Sequence, residues 1–288
     1  MIGQGYSRAH VNKANVGMGH DDAALKQLLE TSVPVSALPA SLDWREKGVV
    51  TDVKDQGQCG GCWSFSAAET AESAVAIASG KLLIFSEQEL LACTQNPDHC
   101  GGTGGCSGAT QELAFQAYVN NSITLEKDYP YQARTTTCDT TKIKPVANIT
   151  GYVVIPFNNY TATMNAVVSV GPIAISGAAE PWQLYSSGVF SSPCGSDVDH
   201  AIQLVGYGHD ASSKLDYYLV RNSWSAGWGE EGYIRIARYG ETPKGEPCVT
   251  DNTPGDGDGC DNGPSSIQVC GECGIISDSS YPVGASLL

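Results

Sequence analysis

The stretch from Gln56 to Ala67, QGQCGGCWSFSA, sets Cys62 at the end of a glycine-rich turn and then runs directly into helix-forming sequence. Residues 64–78 are rich in Ala and Glu, and their apolar side chains recur close to helical spacing. A thiol at a helix N-terminus lies at the positive end of the helix dipole, beside unpaired backbone N–H groups, so its thiolate is favoured. The stretch therefore predicts a nucleophilic cysteine. A buried structural cysteine, or half of a Cys-x-x-Cys metal or redox pair, is the alternative.

The composition narrows the class of protein. The 288 residues suffice for one large domain or two lobes, and 41% hydrophobic with 16% charged residues is typical of a globular chain. A formal charge of −15 argues against nucleic acid as a partner, because phosphate binding needs a basic face. No run of 18 apolar residues is present, so we expect no membrane span.

The cysteine count points to an oxidising compartment. Eleven cysteines allow one free nucleophile and five disulfides. Three Asn-x-Ser/Thr triplets, beginning at Asn120, Asn148 and Asn159, are candidate glycosylation sites and fit a secretory route. We therefore expect a lysosomal, vacuolar or extracellular protein. The first ten residues have no apolar signal-peptide core, so a signal would have to lie upstream.

The order of the predicted elements indicates an α+β protein with two lobes. A polar leader of residues 1–37 contains one helix-like piece at 21–30. Helices are predicted at 64–78, 86–93 and 110–119, and short strands at 146–155, 172–175, 200–207, 216–221 and 232–237. Residues 240–266 are rich in Gly, Pro and Asp and predict a surface insertion.

A cysteine nucleophile needs a base, a group that orients the base, and donors for an oxyanion. Among five histidines, His200 begins an apolar strand-like run after a loop, where its imidazole would be held rigidly. Asn222 lies in RNSWSAGWG and could fix the tautomer of an imidazole, while a neighbouring Trp shields the bond from water. The Gln56 amide could donate to an oxyanion together with the Cys62 backbone N–H.

Three motifs resemble those of the papain-family cysteine peptidases of the cathepsin L type: QGQCGGCWSFSA, VDHAIQLVGYG and RNSWSAGWGEEGYIRI. Supporting matches, among them LDWREKGVVTDVKDQG, SEQELLAC, GCSGA and SYPV, extend the resemblance from Leu38 to Val283 in the order of the family. It implies a papain-like two-lobe fold with a helical left lobe, a β-barrel-like right lobe and the active-site cleft between them. The lobes would lie mainly at 48–150 and 151–275.

The resemblance implies a cysteine endopeptidase of the EC 3.4.22 class. Cys62 would be the nucleophile, His200 the general acid and base, Asn222 the orienting group, and Gln56 with the Cys62 N–H the oxyanion hole. An exopeptidase or transpeptidase on the same fold, or an inactive homologue used for binding, are the alternatives. The first of these needs an element that blocks one end of the cleft.

The disulfides implied by the resemblance are Cys59–Cys106, Cys93–Cys138 and Cys194–Cys273. Four cysteines stay unmatched: Cys100, Cys248, Cys260 and Cys270. Two extra disulfides would complete the count, and Cys248 or Cys260 bonded to Cys270 would tie down the insertion. A zinc site formed by the four cysteines is the alternative.

The resemblance also implies a set of substrate-binding positions. They are Gly108, Ala109, Thr110, Gln111, Ser176, Val198, Asp199, Ala201, Trp224 and Asp278. A carboxylate of Asp278 in the pocket for the second side chain upstream of the cleaved bond would accept Arg or Lys as well as hydrophobic groups; alternatively, Asp278 points to solvent. Ala109 and Ser225 stand where glycine is usual in the family, which affects substrate fit rather than reaction class.

Further expectations concern the ends and the partners of the chain. Residues 1–37 would be the C-terminal part of a prosegment, running through the cleft and removed near Leu38, with 38–288 as the mature domain. Asp256, Asp258 and Asp261 weakly resemble a calcium loop, but no Glu follows at EF-hand spacing, so we expect a solvated loop and no metal. We expect a monomer without cofactors that binds protein or peptide substrates and cystatin-type inhibitors.

Overall fold

The computed structural model describes residues 19–240 and 245–288. Residues 1–18 of the leader lie outside the described part. The helices are α1 Asp22–Thr31, α2 Cys62–Ser79, α3 Glu87–Cys93, α4 Gln111–Asn121 and α5 Tyr160–Ser169. The strands are β1 Leu42–Asp43, β2 Ile123–Thr124, β3 Pro145–Asn148, β4 Gly151–Val154, β5 Ile173–Gly177, β6 Val189–Phe190, β7 His200–Asp210, β8 Leu215–Arg221, β9 Tyr233–Arg238, β10 Cys248–Asp251, β11 Ile267–Cys270, β12 Ser279–Val283 and β13 Ser286–Leu287.

The helical lobe is built around α2, which contains the helix predicted at 64–78 from its Ala-rich sequence and begins two residues earlier, at Cys62. The helix ends where Gly80 adopts a left-handed conformation with φ 73°. Buried side chains of α2 pack against α3 and α4 in one apolar cluster that includes Trp63, Phe115 and Leu90. Helix α3 begins with the predicted cap, because the Ser86 hydroxyl accepts a bond of 2.9 Å from the Glu89 N–H.

The β lobe contains an eight-stranded sheet in the order β4-β12-β5-β7-β8-β9-β6, with β1 paired to β7. Only β6 and β9 run parallel among these pairs. A separate hairpin pairs β10, which lies within the predicted insertion at 240–266, with β11, which directly follows it. The predicted strand at 146–155 is two strands, β3 and β4, and the sequence analysis missed α5, whose apolar side chains pack on the sheet. The α+β class is confirmed.

The lobes meet where α2 packs against β7. The Ser66 hydroxyl donates 2.7 Å to the Ile202 carbonyl, and the Gln203 amide donates 3.1 Å to Ser73 Oγ. Because α2 begins at Cys62 and β7 begins at His200, this packing sets the two residues opposite each other.

The described part of the leader, residues 19–37, lies on the β lobe. Helix α1 is capped by Asp21 and buries Leu28 in the core of that lobe. The Asn165 side chain of α5 bonds both the N–H and the carbonyl of Val33 at 2.9 Å. None of residues 19–37 lines the cavity at Cys62, so the expected path through the cleft is wrong for this part of the leader. The sequence pattern predicts helix α1 but not that it packs on the β lobe. Leu28 is the one residue of the helix that is buried, so no apolar face indicates the contact.

The structure contains five disulfides: Cys59–Cys106, Cys93–Cys138, Cys194–Cys273, Cys248–Cys270 and Cys100–Cys260. The first three are the pairs that the resemblance implies. Cys248–Cys270 ties the insertion at its base, whereas Cys260 is bonded to Cys100 of the helical lobe. Cys62 is the one free cysteine. Within the described residues no helix has the length and apolar character that a membrane span requires.

Candidate active site

Cys62 stands at the first position of α2, held by the loop before it. The loop is fixed to the strand-like segment at 106–108 by the Cys59–Cys106 disulfide and by a bond of 3.1 Å from the Gly60 N–H to the Cys106 carbonyl. A Cβ at Gly60 would lie 2.6 Å from that carbonyl oxygen, so the approach requires glycine. The Cys62 thiol is half-buried at the lobe boundary.

His200 is oriented by the asparagine motif. Its Nε2 lies 2.7 Å from Asn222 Oδ1, and the Trp224 ring stacks on the imidazole with ring centroids 4.9 Å apart. Asn222 immediately follows β8 and is fully buried. With Nε2 engaged by Asn222, Nδ1 is the ring nitrogen available to the Cys62 thiol, which lines the same cavity as His200.

The two groups shift each other's pKa values in opposite directions. Burial disfavours the thiolate, but the hydrogen bond and the positive charge of His200 outweigh it and lower the pKa of Cys62. Burial alone would lower the pKa of His200, yet the bond and charge of Cys62, followed by the bond to Asn222, raise it. The arrangement therefore favours a thiolate–imidazolium pair, which titrates as a unit.

Gln56 is buried beside this pair and its amide is fixed in orientation. Oε1 accepts a bond of 2.6 Å from the Ser223 hydroxyl, and Nε2 donates 3.0 Å to the Cys59 carbonyl. The backbone N–H of Gln56 also donates 2.9 Å to the Ser223 carbonyl. An amide nitrogen carries two hydrogens, so Nε2 retains one donor for a ligand.

A cavity of about 310 Å³ contains Cys62 and His200. Six of the expected substrate-binding positions line it: Gly108, Ala109, Gln111, Ser176, Asp199 and Ala201. The other four do not line it. Thr110 and Val198 are buried beside it, Trp224 covers His200, and Asp278 lies behind the floor.

Asp278 is 4% exposed, so the alternative in which it points to solvent is wrong. Its Oδ2 accepts 2.6 Å from Gln111 Nε2, and it also accepts a bond from the Ser176 hydroxyl. Both donors line the cavity. The carboxylate therefore lies directly behind two polar side chains of the cavity.

The insertion also reaches the cavity, because Gly257 and Asp258 line it. This differs from the expected solvated loop: Asp251, Pro254 and Gly259 are buried, and the Asp261 carboxylate lies 2.8 Å from His99 of the helical lobe. The sequence analysis missed this wall of the site. The available signal was the pair of unmatched cysteines, Cys100 and Cys260, which join the insertion to the other lobe.

None of the three candidate glycosylation sites lines the cavity. Asn120 is exposed near the end of α4, Asn148 ends β3, and Asn159 caps α5 by accepting 2.9 Å from the Ala162 N–H. Ser225 has φ 67°, a left-handed conformation that favours the glycine usual in the family. Ala109 is 9% exposed in the cavity wall, which narrows the cavity by one methyl group.

The described geometry agrees with comparisons to known proteins. The family described as papain family cysteine protease matches residues 38–253. Mouse (Mus musculus) procathepsin L is 46% identical over 209 residues, 70% of this chain and 61% of the relative. Fruit bromelain of Ananas comosus is 43% identical over 207 residues, 72% of this chain and 57% of the relative. The chain thus spans about three-fifths of the length of these relatives.

A solved structure of bromelain protease from Ananas comosus in complex with the E64 inhibitor is similar with a TM-score of 0.70 and 38% identity. That likeness covers 85% of this chain and 99% of the bromelain chain. A ragweed pollen cysteine protease, Amb a 11, in its proform gives a TM-score of 0.72 at 33% identity over 92% of this chain and 64% of that chain. From the match over residues 38–253 and the papain-like arrangement of two lobes, we conclude that this chain belongs to the papain family of cysteine proteases.

Proposed function

We propose that this protein is a cysteine peptidase that hydrolyses peptide bonds through a thioester on Cys62. The observation that carries the proposal is that Cys62 lines the same cavity as His200, whose imidazole Nε2 is held 2.7 Å from Asn222 Oδ1. The neighbourhood lowers the pKa of Cys62 and raises the pKa of His200, and both shifts favour the thiolate nucleophile that this chemistry requires.

In the first half of the reaction, the Cys62 thiolate attacks the scissile carbonyl carbon and a C–S bond forms. The negative charge moves to the carbonyl oxygen, where the second Nε2 hydrogen of Gln56 and the Cys62 N–H stabilise it. His200 transfers its Nδ1 proton to the leaving amine, the C–N bond breaks, and a thioester remains.

In the second half, His200 removes a proton from water and the resulting hydroxide attacks the thioester carbon. The C–S bond breaks, the carboxylic acid leaves, and the thiolate–imidazolium pair is restored. Asn222 keeps the imidazole in one orientation throughout, and Trp224 shields the bond between them from water.

The test is labelling by an epoxysuccinyl-type thiol trap, followed by mass mapping and assay on a fluorogenic peptide. We expect one label, on Cys62, with loss of activity. The variant His200→Ala should lose at least about 10²-fold in kcat/KM. The matched control His209→Ala, an exposed histidine paired with Asp216, should keep full activity. A labelled Cys62 without any peptide cleavage would support an inactive homologue instead.

The mode of cleavage has two candidates. Internal cleavage is the first, because one relative, 36% identical over 91% of this chain, is named a KDEL-tailed cysteine endopeptidase, from Arabidopsis thaliana. Cleavage close to a chain end is the second, and a specific observation favours it: residues of the insertion line the cavity beside the catalytic pair. An internally quenched peptide and a free-ended peptide of the same sequence distinguish the two modes.

We also propose that the pocket accepts a basic side chain. The Asp278 carboxylate lies behind Gln111 and Ser176, and a guanidinium that displaced the Gln111 amide would reach it. Asp278→Asn should lower the kcat/KM ratio of Arg over Leu peptides about tenfold, in line with a charge-assisted hydrogen bond. Asp52→Asn, an exposed acid, is the control. An unchanged Arg-to-Leu ratio in Asp278→Asn would reject this role.

The remaining elements of the proposal concern processing and environment. Five disulfides and relatives that include a procathepsin support a secretory route to a lysosome, a vacuole or the outside of the cell. We propose that residues 1–37 are removed near Leu38 and that the mature protein acts as a monomer inhibited by cystatin-type proteins. N-terminal sequencing of the activated protein tests the cleavage point.

A further inference from the structure

The insertion forms a structure that spans the two walls of the cleft. Its base is the β10–β11 hairpin, in which Asp251 pairs with Ile267 and Cys248 is bonded to Cys270. Beyond this hairpin, residues 257–261, hereafter the crossing segment, run from the β lobe to the helical lobe. The following contacts show how closely it joins them.

On the helical side, the crossing segment is fixed to the loop at 98–102. The Gly101 N–H donates 2.8 Å to the Gly259 carbonyl, the Asp261 N–H donates 2.9 Å to the Asp98 carbonyl, and Cys260 is bonded to Cys100. That loop lies directly against Ser107, which lines the cavity. The two backbones are so close that a Cβ added at Gly102 would be 1.9 Å from the Ser107 carbonyl oxygen.

On the β side, the crossing segment touches the chain just before His200. The Asp258 N–H donates 2.9 Å to the Val198 carbonyl, and a Cβ at Gly257 would lie 2.4 Å from the same oxygen. Asp258 and Gly259 are therefore consecutive residues bonded to opposite walls.

The distances leave no room for a peptide at this level of the cleft. Consecutive Cα atoms are about 3.8 Å apart, so a single peptide unit joins the two walls. A substrate peptide that pairs as a β-strand lies about 4.8 Å from the backbone on each side of it. A peptide therefore cannot pass between Gly101 and Val198 while the crossing segment is in place.

The position of this barrier follows from the residues around it. Gly257 and Asp258 line the same cavity as Gln111, Ser176 and Ala201. Gln111 and Ser176 belong to the proposed pocket for the second side chain upstream of the cleaved bond. The crossing segment consequently stands at the upstream end of the cleft, just beyond that pocket.

We propose that the crossing segment closes the upstream end of the cleft, so that the enzyme prefers peptides with about two residues before the cleaved bond. This inference rests on the proposed peptidase function. Asp258 of the crossing segment lines the cavity at this end, and its negative charge favours the protonated N-terminus of such a peptide. The substrate class is peptides cleaved near a free N-terminus.

The test compares kcat/KM for two fluorogenic peptides that share the same two residues before the cleaved bond. One has a free N-terminus at the second residue upstream, and the other carries an additional acetyl-Gly-Gly-Gly. We expect the wild-type protein to prefer the short peptide at least about tenfold. Labelling of Cys62 by a small alkylating agent gives the concentration of competent enzyme in every sample.

One variant removes the barrier and a second weakens its attachment to the helical lobe. In the first, residues 252–266 are replaced by Asn-Gly, because the pairing of Asp251 with Ile267 allows a two-residue hairpin turn there, and Cys100→Ala removes the unpaired thiol. The second, Cys100→Ala with Cys260→Ala, keeps the insertion and removes only its disulfide. We expect the tenfold preference to fall below about threefold in the first variant and to an intermediate value in the second.

Three results would overturn the inference. Equal cleavage of both peptides by the wild-type protein would show that the upstream end is open. An unchanged preference in the variant without residues 252–266 would show that another element causes it. Absence of cleavage of both peptides, with Cys62 labelled normally, would reject the peptidase function itself and is distinct from the first two results.

Discussion

The two lobes are joined at an inner junction beneath the cleft and at an outer junction at its end. The inner junction consists of buried side chains from α2 and the sheet, such as the Ser66 hydroxyl on the Ile202 carbonyl. The outer junction is the crossing segment, with backbone hydrogen bonds and the Cys100–Cys260 disulfide. One junction is made by specific side chains inside the protein, and the other by main chain near its surface.

The two junctions differ in the burial of their charged pairs. At the inner one, Arg221 and Glu69 are both about 1% exposed or less, with Nη2 and Oε1 3.4 Å apart, and burial raises the pKa of Glu69 to about 7. At the outer one, His99 and Asp261 lie 2.8 Å apart with more than half of each side chain exposed. Buried charges are costly to separate, whereas exposed pairs are screened by water.

This difference separates two tasks. The inner junction fixes the lobes so that Cys62 and His200 face each other, and a change there should disturb both folding and catalysis. The outer junction shapes the path of the substrate, so a change there should alter selectivity while the fold persists. Three substitutions, in order of decreasing effect, probe this division.

The largest effect is expected for Arg221→Met at the inner junction. The variant leaves Glu69 buried without its cation and removes the hydrogen bonds of Arg221 to Thr51 Oγ1 and the Asp52 carbonyl. We expect the free energy of unfolding to fall by about 3–5 kcal/mol, measured by urea denaturation. The control Lys144→Met breaks an exposed pair with Asp128 and should cost less than about 1 kcal/mol. An equal fall in the free energy of unfolding in the two variants would show that the buried and the exposed ion pair contribute equally to stability.

A smaller effect, on catalysis rather than stability, is expected for Asn222→Ala. The variant releases His200 Nε2, and kcat/KM should fall about 10²-fold, equivalent to about 2.7 kcal/mol. The control Asn158→Ala removes a half-buried asparagine side chain that does not line the cavity. It donates to the Gln268 carbonyl and accepts from the Cys270 N–H, and its loss should leave the rate unchanged.

The pH profile supplies a second measurement on Asn222→Ala. Activity requires a deprotonated Cys62 and a protonated His200, so the profile is bell-shaped: it falls at low pH as the thiolate is protonated and at high pH as the imidazolium loses its proton. Because the bond to Asn222 is one cause that raises the pKa of His200, its removal should move the alkaline limb to lower pH. An alkaline limb that stays in place would contradict this role of Asn222.

The smallest effect is expected for His99→Ala at the outer junction. The pair with Asp261 is exposed, so its loss should lower the free energy of unfolding by less than about 1 kcal/mol. The backbone bonds and the disulfide keep the crossing segment in place, and the preference between short and extended peptides should remain. A loss above about 2 kcal/mol, measured by the same urea titration, would show that the outer junction also carries the fold.

The local structure around Cys62 is the part of the molecule that sequence reasoning anticipates well. Helix α2 follows from Ala-rich sequence after a glycine turn, and the cap of α3 follows from Ser86 and Glu89. Local sequence determines this helix and this cap, so they can be predicted before any tertiary contact is known. The proposed roles of His200 and Asn222 follow instead from the resemblance of their motifs to those of a known family.

The outer junction could not be predicted in the same way. The insertion has no apolar periodicity, and its contacts to residues 98–101 are made largely by main chain, which any sequence supplies. The sequence left the partners of Cys100 and Cys260 open, since they are 160 residues apart and disulfide connectivity depends on the folded arrangement. Helix α5 was missed for two reasons. It lies between two strand-like runs, and its apolar and polar residues are only weakly separated onto opposite faces of the helix.

The free thiol of Cys62 has a practical consequence. Ten of the eleven cysteines are joined in disulfides, so an intact molecule carries one titratable sulfhydryl, and that sulfhydryl is the proposed nucleophile. A colorimetric thiol assay on the native protein therefore counts the proposed nucleophiles. One thiol per chain indicates a preparation in which all five disulfides are formed and Cys62 is free. Values near three would identify molecules in which a single cystine has been reduced, before any loss of structure is visible by spectroscopy.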